Sequence, residues 1–267
     1  SQGAIPLECS VTIDAGPRTT YLPAESAALE AYLRQGGALL LMYDIGFVLE
    51  PQLEKLMRTL GVRFQQAVVM DSRSHYSTDP EMVAVTAYDR HPITRNVSFT
   101  FFPGVRPLEL LPPAAGIRAF ALMSSSTDSY TKPVAPVAQR QLAPEPAAGN
   151  VQGKPQPHVF AAAIEGTFPQ EGTSPQPGSR PFRAVVIGDG DFASNSFLPY
   201  MANSDLALSM VRWLAREGSD TPIASRIPVL PMIMLTNAQM REIFLLVEVL
   251  LPLLVIALGG IVWWRRR

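Results

Sequence analysis

The chain has 267 residues, enough for one large domain or two small ones plus a membrane segment. Hydrophobic residues make up 47% and the formal net charge is −1, so no large positive field calls for nucleic acid as a partner. The single cysteine, Cys9, excludes an internal disulfide framework, and the 25 prolines concentrate in the middle of the chain, where they argue against a continuous packed core.

In chain order, Cys9 to Ile13 reads as a short buried strand and Asp14-Ala15-Gly16-Pro17 as the turn after it. Pro23 opens a helix at its first position, where a missing N–H costs nothing, and Gly36-Gly37 ends it. The apolar run Ala38 to Tyr43 suits a parallel strand covered on both faces. Leu49 to Leu60 is a second amphipathic helix, followed by short strands over Val62 to Phe64 and Ala67 to Met70. This strand-helix-strand-helix order predicts an α/β fold built on an open, mostly parallel sheet. Met82 to Ala87, Ser98 to Phe102 and Ile117 to Met123 read as further strands, with His91-Pro92-Ile93-Thr94 as a turn. Residues 124–157 and 166–181 are rich in Pro, Ser, Gly and Ala. They read as flexible stretches flanking a lone strand, His158 to Ile164, in a long hairpin-like insertion. Phe182 to Ile187 is the strongest late strand, and Asp205 to Arg216 an amphipathic helix with Asn203 and Asp205 in its capping region. Residues 1–220 thus form the α/β domain and 221–242 a connector, in which Thr236-Asn237 caps the start of the last helix.

From Ile243 the sequence runs IFLLVEVLLPLLVIALGGIVWW, then RRR. At 1.5 Å per residue this crosses a hydrocarbon core of about 30 Å, so 243–264 reads as a transmembrane helix rather than a buried core helix. Trp263 and Trp264 sit where an aromatic belt belongs. Three arginines at 265–267 against Arg241 at the other end predict a cytoplasmic tail. The domain is then expected on the extracytoplasmic side of the cytoplasmic membrane, in the periplasm where the cell has one. Glu248 either snorkels to the headgroups or contacts a partner helix in the lipid bilayer. Pro252 kinks the span, and Gly259-Gly260 permits close approach of a neighbouring helix.

The stretches YLPAESAALEAYLRQGGALLLMYD, HPIT and AVVIGDGDFASNSFLPYMANSDLALSMVRWLA, followed by the terminal span and RRR, resemble the GldG type. That family is the auxiliary component of an ABC transport system first linked to gliding motility. The resemblance implies a non-enzymatic partner of an ABC permease and its ATPase, with a class I glutamine amidotransferase-like (flavodoxin-like) domain. Members usually carry an earlier membrane helix and more of the sheet. With no initiator Met at Ser1, the chain is expected to be the C-terminal piece of a longer protein.

The sharpest chemical motif is Gly188-Asp189-Gly190-Asp191-Phe192, directly after a strand. Ligands of open α/β sheets bind at the carboxyl ends of strands. Asp189 and Asp191, with Asn195 nearby, suit a cation or a sugar hydroxyl, while the domain as a whole is expected to bind a partner domain or an exported substrate; alternatively the two carboxylates accept N–H bonds in a tight turn, with the glycines at positive φ. Tyr43-Asp44 reaches the same edge and reads as a turn. His75, His91 and His158 show no metal-ligand spacing. Cys9 is not on a strand-to-helix elbow, which weakens a hydrolase or amidotransferase reading, and a pairing of Cys9 with His91 or His158 stays open. Without a Walker motif or GxGxxG, neither ATP hydrolysis nor a dinucleotide cofactor is expected.

Overall fold

The computed structural model describes residues 4–134, 154–169, 180–217, 241 and 243–266. Strand β1 (Thr12–Ala15) leads through α1 (Pro23–Arg34) to β2 (Ala38–Met42), and β1 and β2 pair in parallel. Pro23 is the first residue of α1, the Glu25 carboxylate accepts the Leu22 N–H at 2.8 Å, and Gly36, at φ +86°, ends the helix. Helix α2 (Pro51–Thr59) starts later than the sequence suggests because Glu50 caps it, accepting the N–H groups of Gln52 and Leu53 at 2.8 and 3.1 Å. Short strands follow: β3 (Val62–Phe64), β4 (Ala67–Asp71), β5 (Met82–Val85), β6 (Thr100–Pro103), β7 (Leu108–Leu110), β8 (Ile117–Ser124) and β9 (Ser129–Pro133). Then come β10 (Val159–Gly166), β11 (Phe182–Ile187) and helix α3 (Asn203–Leu214).

The main sheet has the order β1-β2-β11-β10-β8. It is mixed: β1, β2 and β11 run parallel, while β10 is antiparallel to both β11 and β8. This corrects the expectation of a mostly parallel sheet. It also corrects the status of β10, which is a central strand rather than part of a hairpin insertion; Phe160 to Ile164 are all fully buried in it. Three two-stranded sheets, β3-β7, β4-β9 and β5-β6, flank the main one. Both β7 and β9 are new relative to the sequence reading, and β9 lies inside the stretch read as flexible. The first strand begins at Thr12, not Cys9; Cys9 is exposed, and Asp14 and Ala15 belong to the strand rather than the turn.

All five residues of β2 are buried, and they alternate between two cores. Leu39 and Leu41 join Leu29, Leu33, Leu53 and Leu56 of α1 and α2 on one face. Ala38, Leu40 and Met42 join Leu206, Met210 and Trp213 of α3 on the other. Fully burying each such leucine is worth about 1.5–3 kcal/mol. That burial fixes the register of β2, since a slip of one residue would exchange its two faces.

Residues 243–266 form the C-terminal helix, with a π-helical stretch at Leu245–Leu250 and a regular α-helix, α4, at Leu251–Arg265. The widening falls where the sequence predicts a kink. Pro252 has no N–H and its ring crowds the carbonyl four residues back, and just before it the Leu251 N–H bonds the Leu246 carbonyl five residues back. The helix from Leu245 to Arg265, 21 residues, is long and apolar enough to cross a membrane, and none of its described side chains is buried. The connector at 221–242, including Thr236-Asn237, lies outside the described residues except for Arg241.

Candidate functional site

Because β1, β2 and β11 are parallel, the segments that follow them meet at one edge of the sheet. The Gly16 N–H bonds the Met42 carbonyl at 2.9 Å and the Tyr43 N–H bonds the Ile187 carbonyl at 3.0 Å, so the three strand ends are laced together. A cleft of about 590 Å³ opens above them, lined by Gly16, Arg18, Asp44, Phe47, Asp191 and Ser194 among others. This is the edge at which open α/β sheets bind ligands.

Two glycines make the lacing possible. A Cβ on Gly190 would lie 3.2 Å from both the Gly16 nitrogen and Asp44 Oδ1. A Cβ on Gly188 would lie 1.9 Å from the Arg106 carbonyl oxygen, so only glycine lets those two backbones cross. Neither glycine is at positive φ among the described residues, so close approach, not turn conformation, is the reason for them. Gly16 is at φ +58°.

Asp44 Oδ1 accepts the Gly190 N–H at 2.5 Å, tying the β2 loop to the β11 loop across 146 residues of sequence. Burial pushes the Asp44 carboxyl up; the Gly190 N–H opposes that, Asp191 adds to it and Arg18 reduces it. Asp189 lies below the cleft floor, 1% exposed. Its Oδ1 accepts the Asp191 N–H at 2.8 Å, while its Oδ2 is buried with no hydrogen-bond partner among the described residues. Burial, and then the charge of Asp44, raise its carboxyl well above the usual carboxylate range. Asp191 opens a 3₁₀ turn, Asp191–Ala193, and is exposed on the cleft wall. Beside them the Tyr21 hydroxyl donates to Asp14 Oδ2, and burial pushes the phenols of Tyr21 and Tyr43 up.

Of the residues the sequence singles out, the structure puts Asp191 on the cleft and Asp189 beneath it. Asn195 is exposed and is not among the lining residues. Asp44, Gly16 and Arg18 complete the site; of these the sequence reading touches Asp44 and Gly16, as turn residues, and misses Arg18. Asn203 does not cap α3. It is buried, with Oδ1 accepting the Phe101 N–H at 2.9 Å and Nδ2 donating to the carbonyls of Phe101, Phe192 and Phe197 at 2.9 to 3.2 Å. It thereby holds the turn after Asp191 against β6. His91 packs on Trp213 and Phe120, with ring centroids 5.0 and 6.1 Å away, and its Nδ1 accepts the Ile93 N–H at 3.3 Å, which is a turn and packing role. In the C-terminal helix, Glu248 is exposed, and a Cβ added at Gly259 or Gly260 would meet nothing within 4 Å.

The cleft offers carboxylate and hydroxyl acceptors beside one arginine, and among the described residues no histidine or cysteine lines it. No group of three or more His, Cys, Asp or Glu among the described residues is placed to hold a metal ion. The arrangement suits hydrogen-bond donors of a ligand or of a partner's backbone and side chains.

Among solved structures, the chain is similar to one described as "mmIFT52 N-terminal domain", with a TM-score of 0.53, 19% identity and 77% of each chain covered. At that identity the likeness concerns the fold alone. No curated protein matches the sequence. Residues 1–216 match the model of a protein family described as an ABC-type uncharacterized transport system, and the chain belongs to that ABC transport auxiliary family.

Proposed function

We propose that this chain is a non-enzymatic, membrane-anchored auxiliary subunit of an ABC-type transport system. Its C-terminal helix sits in the cytoplasmic membrane beside a permease, and its α/β domain works on the extracytoplasmic side, binding a partner protein or an exported substrate. The observation that carries the reading is the joining of two features in one chain. A domain of the ABC transport auxiliary family is followed by a mostly apolar 21-residue helix, Leu245–Arg265, with none of its described side chains buried and with arginines at 265–267. An apolar helix with no protein cover is stable only in lipid or against other helices.

The cleft is the binding surface in this reading. Asp191 and Asp44 present acceptors on its wall, the buried Asp189 braces the loop, and Asn195 is exposed in the segment just after the lining residue Ser194. Glu248, Pro252, Gly259 and Gly260 lie on the helix where a permease helix docks, since a carboxylate and a proline-freed carbonyl in lipid both gain from a protein partner. GldG-type membership and a role in gliding motility belong to the same proposal. The full-length chain, solubilised in mild detergent from its native membrane, is expected to co-purify with an ABC permease and its ATPase. Recovery of the chain alone under gentle conditions overturns the assignment.

A further inference from the structure

On the α2 side of the sheet lies a second, smaller pocket of about 180 Å³, whose apolar lining includes Val48, Leu49, Met57 and Phe64 and whose polar lining is Glu54, Arg63, Gln66 and Arg106. Arg106 is 2% exposed. Its Nε donates to the Gln65 carbonyl at 2.7 Å and its Nη1 to the Phe47 carbonyl at 2.9 Å, and its guanidinium carbon lies 4.9 Å from the centre of the Phe64 ring. A guanidinium has five N–H donors, and these contacts use two. Nη2 has no acceptor among the described residues, and Arg106 lines the pocket. Arg106 makes no ion pair among the described residues. The nearby charges are already matched: Glu54 pairs with Arg58 at 2.7 Å and Arg63 with Glu109. Burial lowers the Arg106 guanidinium to about 10, which leaves it charged at neutral pH. Two neutral carbonyls satisfy part of its geometry and none of its charge, and a buried unpaired cation is costly.

We propose that this pocket is a binding site for a small aliphatic monocarboxylic acid, its carboxylate on the free donors of Arg106 and its short hydrocarbon body against Val48, Leu49 and Met57. The planar fork of a guanidinium matches a carboxylate, and the volume, about that of six waters, admits a chain of a few carbons. Of the two guanidinium groups in the lining, Arg63 is paired with Glu109, which leaves Arg106 as the lining cation without an ion pair among the described residues; with the Glu54 carboxylate also in the lining, a multiply charged phosphate is disfavoured.

The test titrates ¹³C-labelled butyrate, with butyramide as the neutral control, into the full-length chain in nanodiscs, followed by NMR. Saturable binding of butyrate and none of butyramide is expected. Glu54→Gln, an exposed position, should tighten butyrate binding several-fold, and Arg106→Met should abolish it. Should Arg106→Met fail to fold, Val48→Asp at the exposed rim replaces it and should weaken binding at least tenfold. Absence of saturable butyrate binding, equal binding of butyramide, or butyrate affinity unchanged in both Glu54→Gln and Val48→Asp would overturn the proposal.

Discussion

Asp189 carries a buried, unpartnered Oδ2 next to the Asp44 carboxylate, and its raised affinity for a proton has a consequence for stability. A carboxyl whose folded pKa lies above the unfolded value contributes fully below the unfolded value near 3.8, and the contribution is lost as pH rises through the folded value. Asp189→Asn keeps the acceptor for the Asp191 N–H and removes the charge. It is expected to raise stability by about 1–2 kcal/mol at pH 7–8 and to make little difference near pH 4. Thermal melts of both proteins across that range check this; equal shifts at all pH values would count against it. The sequence motif alone shows that Asp189 and Asp191 follow a strand. It does not show which of them faces solvent, because that depends on Arg106 crossing above Gly188, a contact between segments more than 80 residues apart.

At the scale of elements, Asn203 works as a clamp rather than a cap, serving both backbone groups of Phe101 at once. Asn203→Ala leaves a buried N–H and carbonyl of β6 without their partner and is expected to cost about 3 kcal/mol, read as a lower midpoint in chemical denaturation. Asn203→Asp keeps one acceptor and should cost less at low pH, where the acid can still donate. Strong periodic or wholly apolar segments, such as α1, β2 and β11, were legible because burial on a known face dictates their composition. The strands β7 and β9 were not: Leu-Glu-Leu is too short to show a period, and Ser-Tyr-Thr-Lys-Pro is polar because only one of its edges is paired, against β4. The run through β10 was legible as a strand but not as a central one. Its Pro-rich flanks suggest an excursion, whereas the antiparallel pairing on both sides that makes it central is a long-range fact. The cleft was legible only in its last third, since its lining comes from 15–18, 42–47 and 190–194, which parallel pairing alone brings together.

For the whole molecule, the arginines at 265–267 set the expected topology. A tag placed after Arg267 should be inaccessible to a protease or membrane-impermeant label in intact cells and reached only once the cytoplasmic membrane is opened. Labelling from outside would invert the orientation proposed above. Helix α3 runs back along the sheet from the cleft edge, and its last turn is held by Arg183, whose Nη1 donates to the Trp213 carbonyl at 2.6 Å at the start of β11. The polypeptide therefore departs toward its hydrophobic tail from the rim opposite the cleft. In the proposed function, tension on the tether would load Arg183 and Trp213 and leave the far mouth undistorted, so that binding at the cleft and pull from the bilayer are compatible.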